Sequence, residues 1–125
     1  MTIAEVSEKC DISPDTLRYY EKEGLLPYIS RTEGGVRNYT EEDCKRIEFV
    51  KCMRSAGLSI EVLKQYFELF AKGKRTLQAR RDLLATEREK LQVRLAELQE
   101  TMSRLDYKIA VYEKALKSKT KELKF

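Results

Sequence analysis

Six residues spaced seven apart, Leu77, Leu84, Leu91, Leu98, Leu105 and Tyr112, run through the second half of the chain. Leu95, Met102, Ile109 and Leu116 interleave with them at the complementary four-three spacing. An apolar stripe with this period is the seam of a coiled coil. From 77 to 116 the helix would be about 60 Å long at 1.5 Å per residue, and a lone helix of that length cannot bury its stripe. It needs a second helix, most simply from another copy, so residues 77–116 read as a homodimer element. Arg81 and Arg88 occupy seam positions at the N-terminal end, where charge penalises some registers and helps select one. The coiled-coil segment is set at 75–118, followed by a charged tail, 119–125, expected to fray.

The coil leaves residues 1–71 to form a separate small module. Of the 125 residues 37% are charged, which argues against one large core, and two Pro, five Gly and no Trp favour a mostly α protein. Thr2 and Glu5 have the spacing of a capping box that opens a helix through Cys10, with Ile3, Val6 and Cys10 on its inner face. Asp11-Ile12-Ser13 is a three-residue turn, with Ile12 plugging the angle to the next helix. That helix starts with Ser13 as N-cap and Pro14 in the first turn, and stops at Gly24. From Leu25 the pattern is extended, and Gly34-Gly35 predicts a tight hairpin, a two-stranded wing with Arg37 and Tyr39 on one face. Thr40 to Asp43 caps a third helix reaching about Ala56; Ser59 caps a fourth through Phe70, with Ile60, Leu63, Phe67 and Phe70 inward.

The helix after Ser13 carries the chemistry. On a 3.6-residue repeat Asp15, Arg18, Tyr19 and Lys22 share one side, while Leu17 and the body of Tyr20 or Glu21 turn to the other. Arg forks onto phosphate or guanine, and a Tyr ring presses on sugars and thymine methyls, so this reads as a DNA recognition helix. Net charge supports that only weakly. Residues 1–75 hold 13 Lys plus Arg against 13 Asp plus Glu, and the whole +4 excess lies in residues 76–125. The case rests on which face the cations occupy.

No apolar run reaches the length of a membrane span and no secretory leader opens the chain, so a cytoplasmic protein without a membrane partner is expected. The three cysteines, at 10, 44 and 52, form no CxxC pair, and there is no His. Free thiols are the default, and no metal site or other cofactor is expected. An enzyme is not expected either, with no His, no Gly-rich phosphate loop and no evident acid pair.

Three runs in order, Leu17-Arg-Tyr-Tyr-Glu-Lys-Glu-Gly-Leu25, Gly35-Val-Arg-Asn-Tyr39 and Arg54-Ser-Ala-Gly-Leu-Ser59, resemble the MerR family of bacterial transcriptional regulators over residues 1 to about 118. The resemblance implies a winged helix-turn-helix module that dimerises through an antiparallel coiled coil. It implies binding to a palindromic operator in double-stranded promoter DNA. Activation would bend and untwist an over-long spacer so that RNA polymerase engages both promoter elements. Motif by motif, Arg18 and Tyr19, helped by Thr16 and Tyr20, go to the major groove, and Arg37, Tyr39 and Arg54 to the flanking backbone. The plainer reading of each is a solvated cation or a core aromatic, and Tyr20 also faces the packing side.

Members with metal or drug effectors carry the effector site beyond the coil, and this sequence has no such cysteine loop or added domain. The run Phe49-Val-Lys-Cys-Met-Arg-Ser-Ala-Gly57 instead resembles the subgroup that senses aldehydes and other electrophiles through a thiol in this helix. That implies Cys52 as the sensor. Lys51 and Arg54 would favour its thiolate and Glu48 would oppose it. The plainer reading is a small core residue beside Phe49 and Met53. Cys10 and Cys44 read as packing residues. Cys44 and Cys52 sit about 12 Å apart along one helix, too far for a disulfide. Two rivals stand: the same DNA-binding class with a non-thiol ligand or no effector, and a coiled-coil scaffold whose helix-turn-helix binds protein.

Overall fold

The computed structural model describes residues 1–118; the tail expected over 119–125 lies outside the described residues. Five α-helices follow one another: α1 Ile3–Cys10, α2 Pro14–Lys22, α3 Glu41–Ser55, α4 Ile60–Ala71 and α5 Leu77–Ser118, with a 3-10 turn over Lys74–Thr76. Residues 1–84 pack as one unit, and α5 from Ala85 onward forms a second.

The first four helices start where their caps stand. Thr2 Oγ1 accepts the Glu5 amide at 3.2 Å while Glu5 Oε1 accepts the Thr2 amide at 3.1 Å, and Thr40 with Asp43 repeats the exchange at 3.1 and 2.9 Å. Ser13 and Ser59 cap α2 and α4 through the amides of Thr16 and Val62, both at 3.1 Å. Asp11, at φ 50°, ends α1 in the left-handed region, which Asp tolerates better than most residues and which turns the chain sharply into α2.

The core of the first unit is built from Val6, Leu17, Leu25, Ile29, Ile47 and Val50, all fully buried, with Leu63 and Phe67 added by α4. Gly24, at φ 79°, brings the chain off α2 so that Leu25 and Leu26 point inward. The expected placement of Phe70 is wrong: it is 51% exposed, and the Arg80 guanidinium stands 5.2 Å over its ring. Thr76 sits below that arginine, donating to the Leu69 carbonyl at 2.6 Å and accepting Arg80 Nε at 3.1 Å. These bonds join α4, the 3-10 turn and the first turn of α5.

The two-stranded wing is also corrected. Pairing is limited to one antiparallel bridge, Arg31 with Arg37, and no extended strand forms among the described residues. A turn closes it, with the Gly35 amide on the Thr32 carbonyl at 2.9 Å and the Thr32 amide on the Val36 carbonyl at 2.8 Å. The ladder stops because the chain leaves it. The Asn38 amide bonds Ser30 at 2.7 Å, and one residue later the Tyr39 amide bonds the Met1 carbonyl at 2.8 Å.

No residue of α5 is buried. Its seam residues Leu95, Leu98, Met102, Leu105, Ile109, Tyr112 and Leu116 all stand exposed. Among the described residues no helix is long and apolar enough to cross a membrane.

Candidate nucleic-acid interface

The α2 face divides as its periodicity requires. Leu17 and Tyr20 are buried, and Asp15, Arg18, Tyr19 and Lys22 are exposed. Tyr20 therefore takes the packing side, 7% exposed, with its ring 6.2 Å from that of Tyr19. Tyr19 remains 47% exposed. Thr16 is half-buried at the first turn, its hydroxyl 2.7 Å from that of Ser13. Arg18 rests on Asp15 at 3.0 Å in an open i,i+3 pair; such a pair contributes little, so the guanidinium is cheaply released to another anion.

Glu21 fixes the turn that stands for the wing. Its two carboxylate oxygens face two arginines, Arg37 Nε at 2.8 Å and Arg31 at 3.8 Å. The hydrogen bond to Glu21 holds the Arg37 guanidinium above its ordinary pKa. The cation is thereby tethered to the end of α2 while its side chain stays 25% exposed. Tyr39 departs from its expected place on the surface. It is 2% exposed, its phenol has no hydrogen-bond partner within the described residues, and burial pushes its pKa up.

Arg54 lies in the last turn of α3. Its guanidinium donates to the Leu58 carbonyl at 2.8 Å and closes the turn from α3 into α4. Cys52, one turn before the end of α3, is exposed, which sets aside its reading as a core residue. Cys10 and Cys44 are buried, as packing residues should be. Burial, helped by a hydrogen bond with Glu48, pushes the Cys10 thiol up to about 12.

Sequence reasoning placed Lys51 only beside Cys52 and missed its contact with the end of α1. Its ammonium donates to the Cys10 carbonyl at 2.8 Å and lies 3.9 Å from the Asp11 carboxylate. The residue next to Cys52 thus holds the last turn of α1, where the helix-turn-helix bends. Nothing local in the sequence signals a contact across 41 positions. Glu21 was assigned only a packing body; its signal was a carboxylate set in an Arg- and Tyr-rich run.

A cleft of about 310 Å³ opens between α3 and α4, lined by Pro27, Arg46, Phe49, Tyr66, Phe67 and Phe70 among others. Arg46 stacks on Phe67 at 3.9 Å and donates to the Leu25 carbonyl at 2.9 Å, and its burial lowers its pKa. Among the described residues no group of three His, Cys, Asp or Glu side chains is placed to hold a metal ion.

Known proteins share this arrangement. The family model described as MerR HTH family regulatory protein matches residues 1–69, and the model described as MerR, DNA binding matches 44–107. The HTH-type transcriptional regulator AdhR of Bacillus subtilis is 53% identical over 91 residues, 73% of this chain and 65% of that protein, so just under two thirds of that relative is spanned. A crystal structure of a MerR family transcriptional regulator from Listeria monocytogenes superposes with a TM-score of 0.89 at 48% identity, covering 93% of this chain and 88% of that one. HiNmlR, described as a MerR family regulator lacking the sensor domain and solved bound to promoter DNA, superposes with a TM-score of 0.83 at 36% identity over 91% and 90%. These relatives are transcriptional regulators rather than enzymes. With both family models matched across most of its length, the chain belongs to the MerR family of DNA-binding transcriptional regulators.

Proposed function

We propose that this regulator acts as a homodimer through residues 77–116 on a palindromic promoter operator and activates transcription by distorting an over-long spacer for RNA polymerase. In this reading Arg18, Tyr19 and Thr16 of α2 enter the major groove. Arg37 and Arg54 hold the flanking phosphates, and Tyr20 and Tyr39 support the face from beneath. The DNA-bound state of HiNmlR supports promoter DNA as the partner.

The trigger is an aldehyde or related electrophile at Cys52. With formaldehyde, the sulfur attacks the carbonyl carbon, the carbon–oxygen π bond opens, and the thiol proton passes to the oxygen, leaving a hydroxymethyl thioether. No oxidant is required. One observation carries this reading: Cys52 is the exposed thiol, and the residue before it ties α3 to the end of α1. An adduct at Cys52 therefore forms beside the joint that sets the angle of α2.

In vitro transcription with the parent and Cys52→Ser proteins, with and without formaldehyde, tests it. Aldehyde should raise output with the parent alone; an equal response from both proteins rejects the thiol trigger and leaves the DNA-binding role in place. The aromatic cleft between α3 and α4 favours a second reading, an apolar ligand in place of a thiol adduct. In that case Phe67→Ala, and not Cys52→Ser, abolishes induction.

A further inference from the structure

The cleft between α3 and α4 has aromatic walls and one polar end. Phe49 and Tyr66 lie with ring centroids 5.6 Å apart, and Phe67 meets both edge-on, at 6.2 and 5.1 Å. Phe70, 51% exposed, adds an open ring to the lining.

Glu42, Asp43, Lys45 and Arg46 also line the cleft. Lys45 and Glu42 hold each other at 3.0 Å, and Asp43 uses one oxygen to accept the Thr40 amide at 2.9 Å. Arg46 is differently placed. Its Nε donates to the Leu25 carbonyl at 2.9 Å and its Cζ lies 3.9 Å over the Phe67 ring, so two independent contacts fix the plane of the guanidinium. Its terminal nitrogens hold no acceptor among the described residues, and Asp43 is near enough to favour the charge without pairing with it. Burial lowers the Arg46 pKa, so an anion on its free edge would offset a cost already present.

These observations select a ligand class. A cationic molecule would seek the face of Phe67, which Arg46 already covers. An uncharged apolar molecule would fill the space between the rings and leave a half-buried guanidinium without an acceptor. A carboxylate matches the forked N–H groups of Arg46, and an aromatic ring attached to it finds other rings to pack on. A volume of about 310 Å³ is at the small end for ligand pockets and suits one or two rings.

Resting on the cleft reading above and not on the thiol, we propose that this cleft binds a planar aromatic carboxylate, its carboxylate forked by Arg46 and its ring packed against Phe49, Tyr66 and Phe67. The same guanidinium holds the residue after Gly24, so the bound acid engages a side chain that supports the exit from α2.

Titration of the isotope-labelled full chain with 2-naphthoate, followed by NMR, tests this. Saturable shifts should gather around Arg46, Phe49 and Phe67, with a Kd on the order of 1 mM or below, the scale of a ligand this small. 2-Naphthamide keeps the shape without the charge and should bind about tenfold more weakly; 2-naphthylmethylammonium should leave these residues unshifted. Arg46→Lys keeps a cation and removes the fork, and should weaken naphthoate about tenfold. Because Arg46 also supports Leu25, Phe70→Ala supplies a second variant at an exposed ring, expected to weaken binding about threefold with the thermal midpoint unchanged. Amide binding as tight as acid, or ammonium binding tighter, rejects the carboxylate assignment and leaves the cleft as a ligand site. No shift with any of the three probes, from a folded protein, rejects the cleft reading as well; that is the result expected if a second copy's helix covers these rings. Unchanged naphthoate affinity in both variants overturns the placement.

Discussion

At the scale of single residues, the three thiols show how position overrides chemistry. A thiol reacts as its thiolate, and at neutral pH a pKa near 12 leaves Cys10 almost wholly protonated and sealed under α3. Iodoacetamide on the native protein should modify Cys52 and spare Cys10 and Cys44, with all three modified after unfolding; mass spectrometry reads this directly. The same burial has a consequence for stability. Because folding raises the Cys10 pKa from 9.0 to about 12, the neutral thiol's contribution is intact below pH 9 and is lost as pH climbs toward 12. Cys10→Ala should flatten that part of the stability profile. Arg37 is the cation most firmly aimed, and if it holds a phosphate, Arg37→Met should weaken all DNA sequences alike and lower the salt slope by about one. The outward set of α2 could be read from its 3.6-residue period, since Arg18 and Tyr19 follow directly from where Leu17 must go. Tyr39 could not. Its assignment assumed a strand whose faces alternate, and the chain leaves the ladder just before it.

At the scale of elements, caps proved the most legible feature because a helix start is decided within four residues. Thr2, Ser13, Thr40 and Ser59 each perform the bond their spacing implies. The wing was less legible because a hairpin needs partners further away than its own turn, and here Met1 and the core compete for the chain after Asn38. Phe70 was misplaced for a related reason: the helical period aims it inward, but α4 ends one residue later and Arg80 takes its ring at the surface. The join between α1 and α3 was invisible in sequence, yet it ties the residue beside Cys52 to the turn before α2. Lys51→Met keeps the stem and removes the ammonium that serves the Cys10 carbonyl. It should lower stability by about 1 kcal/mol in urea unfolding, reduced from a buried value because the lysine is partly exposed. If this bond transmits the signal, the variant should still form the Cys52 adduct by mass spectrometry and yet fail to raise transcription. An intact response would move the transmission to the α3–α4 side, where Arg54 holds Leu58.

At the scale of the whole molecule, a recognition helix of nine residues offers few contacts, and a palindromic site gains its affinity by engaging two such helices together. The stripe that such pairing would use stands out in the sequence, because a strict seven-residue period over a helix of 42 residues has few other uses. Leu98→Glu tests the dependence of DNA binding on that seam. Leu98 lies near the midpoint of the stripe and is exposed in the single chain, so the substitution costs the first unit nothing and places two carboxylates in the centre of the paired seam. Helicity should fall, because a long helix without its partner loses the burial that supports it. The protection of Cys10 and Cys44 from iodoacetamide should persist, since their surroundings belong to residues 1–84. DNA binding should then lose its preference for the operator. The slope of log Kobs against log salt should fall to about half the parent's, because only one module's phosphates remain engaged. Retention of the full slope by a protein shown to be monomeric would mean that a single module makes all the contacts, and the dimer would lose its role in reading the operator.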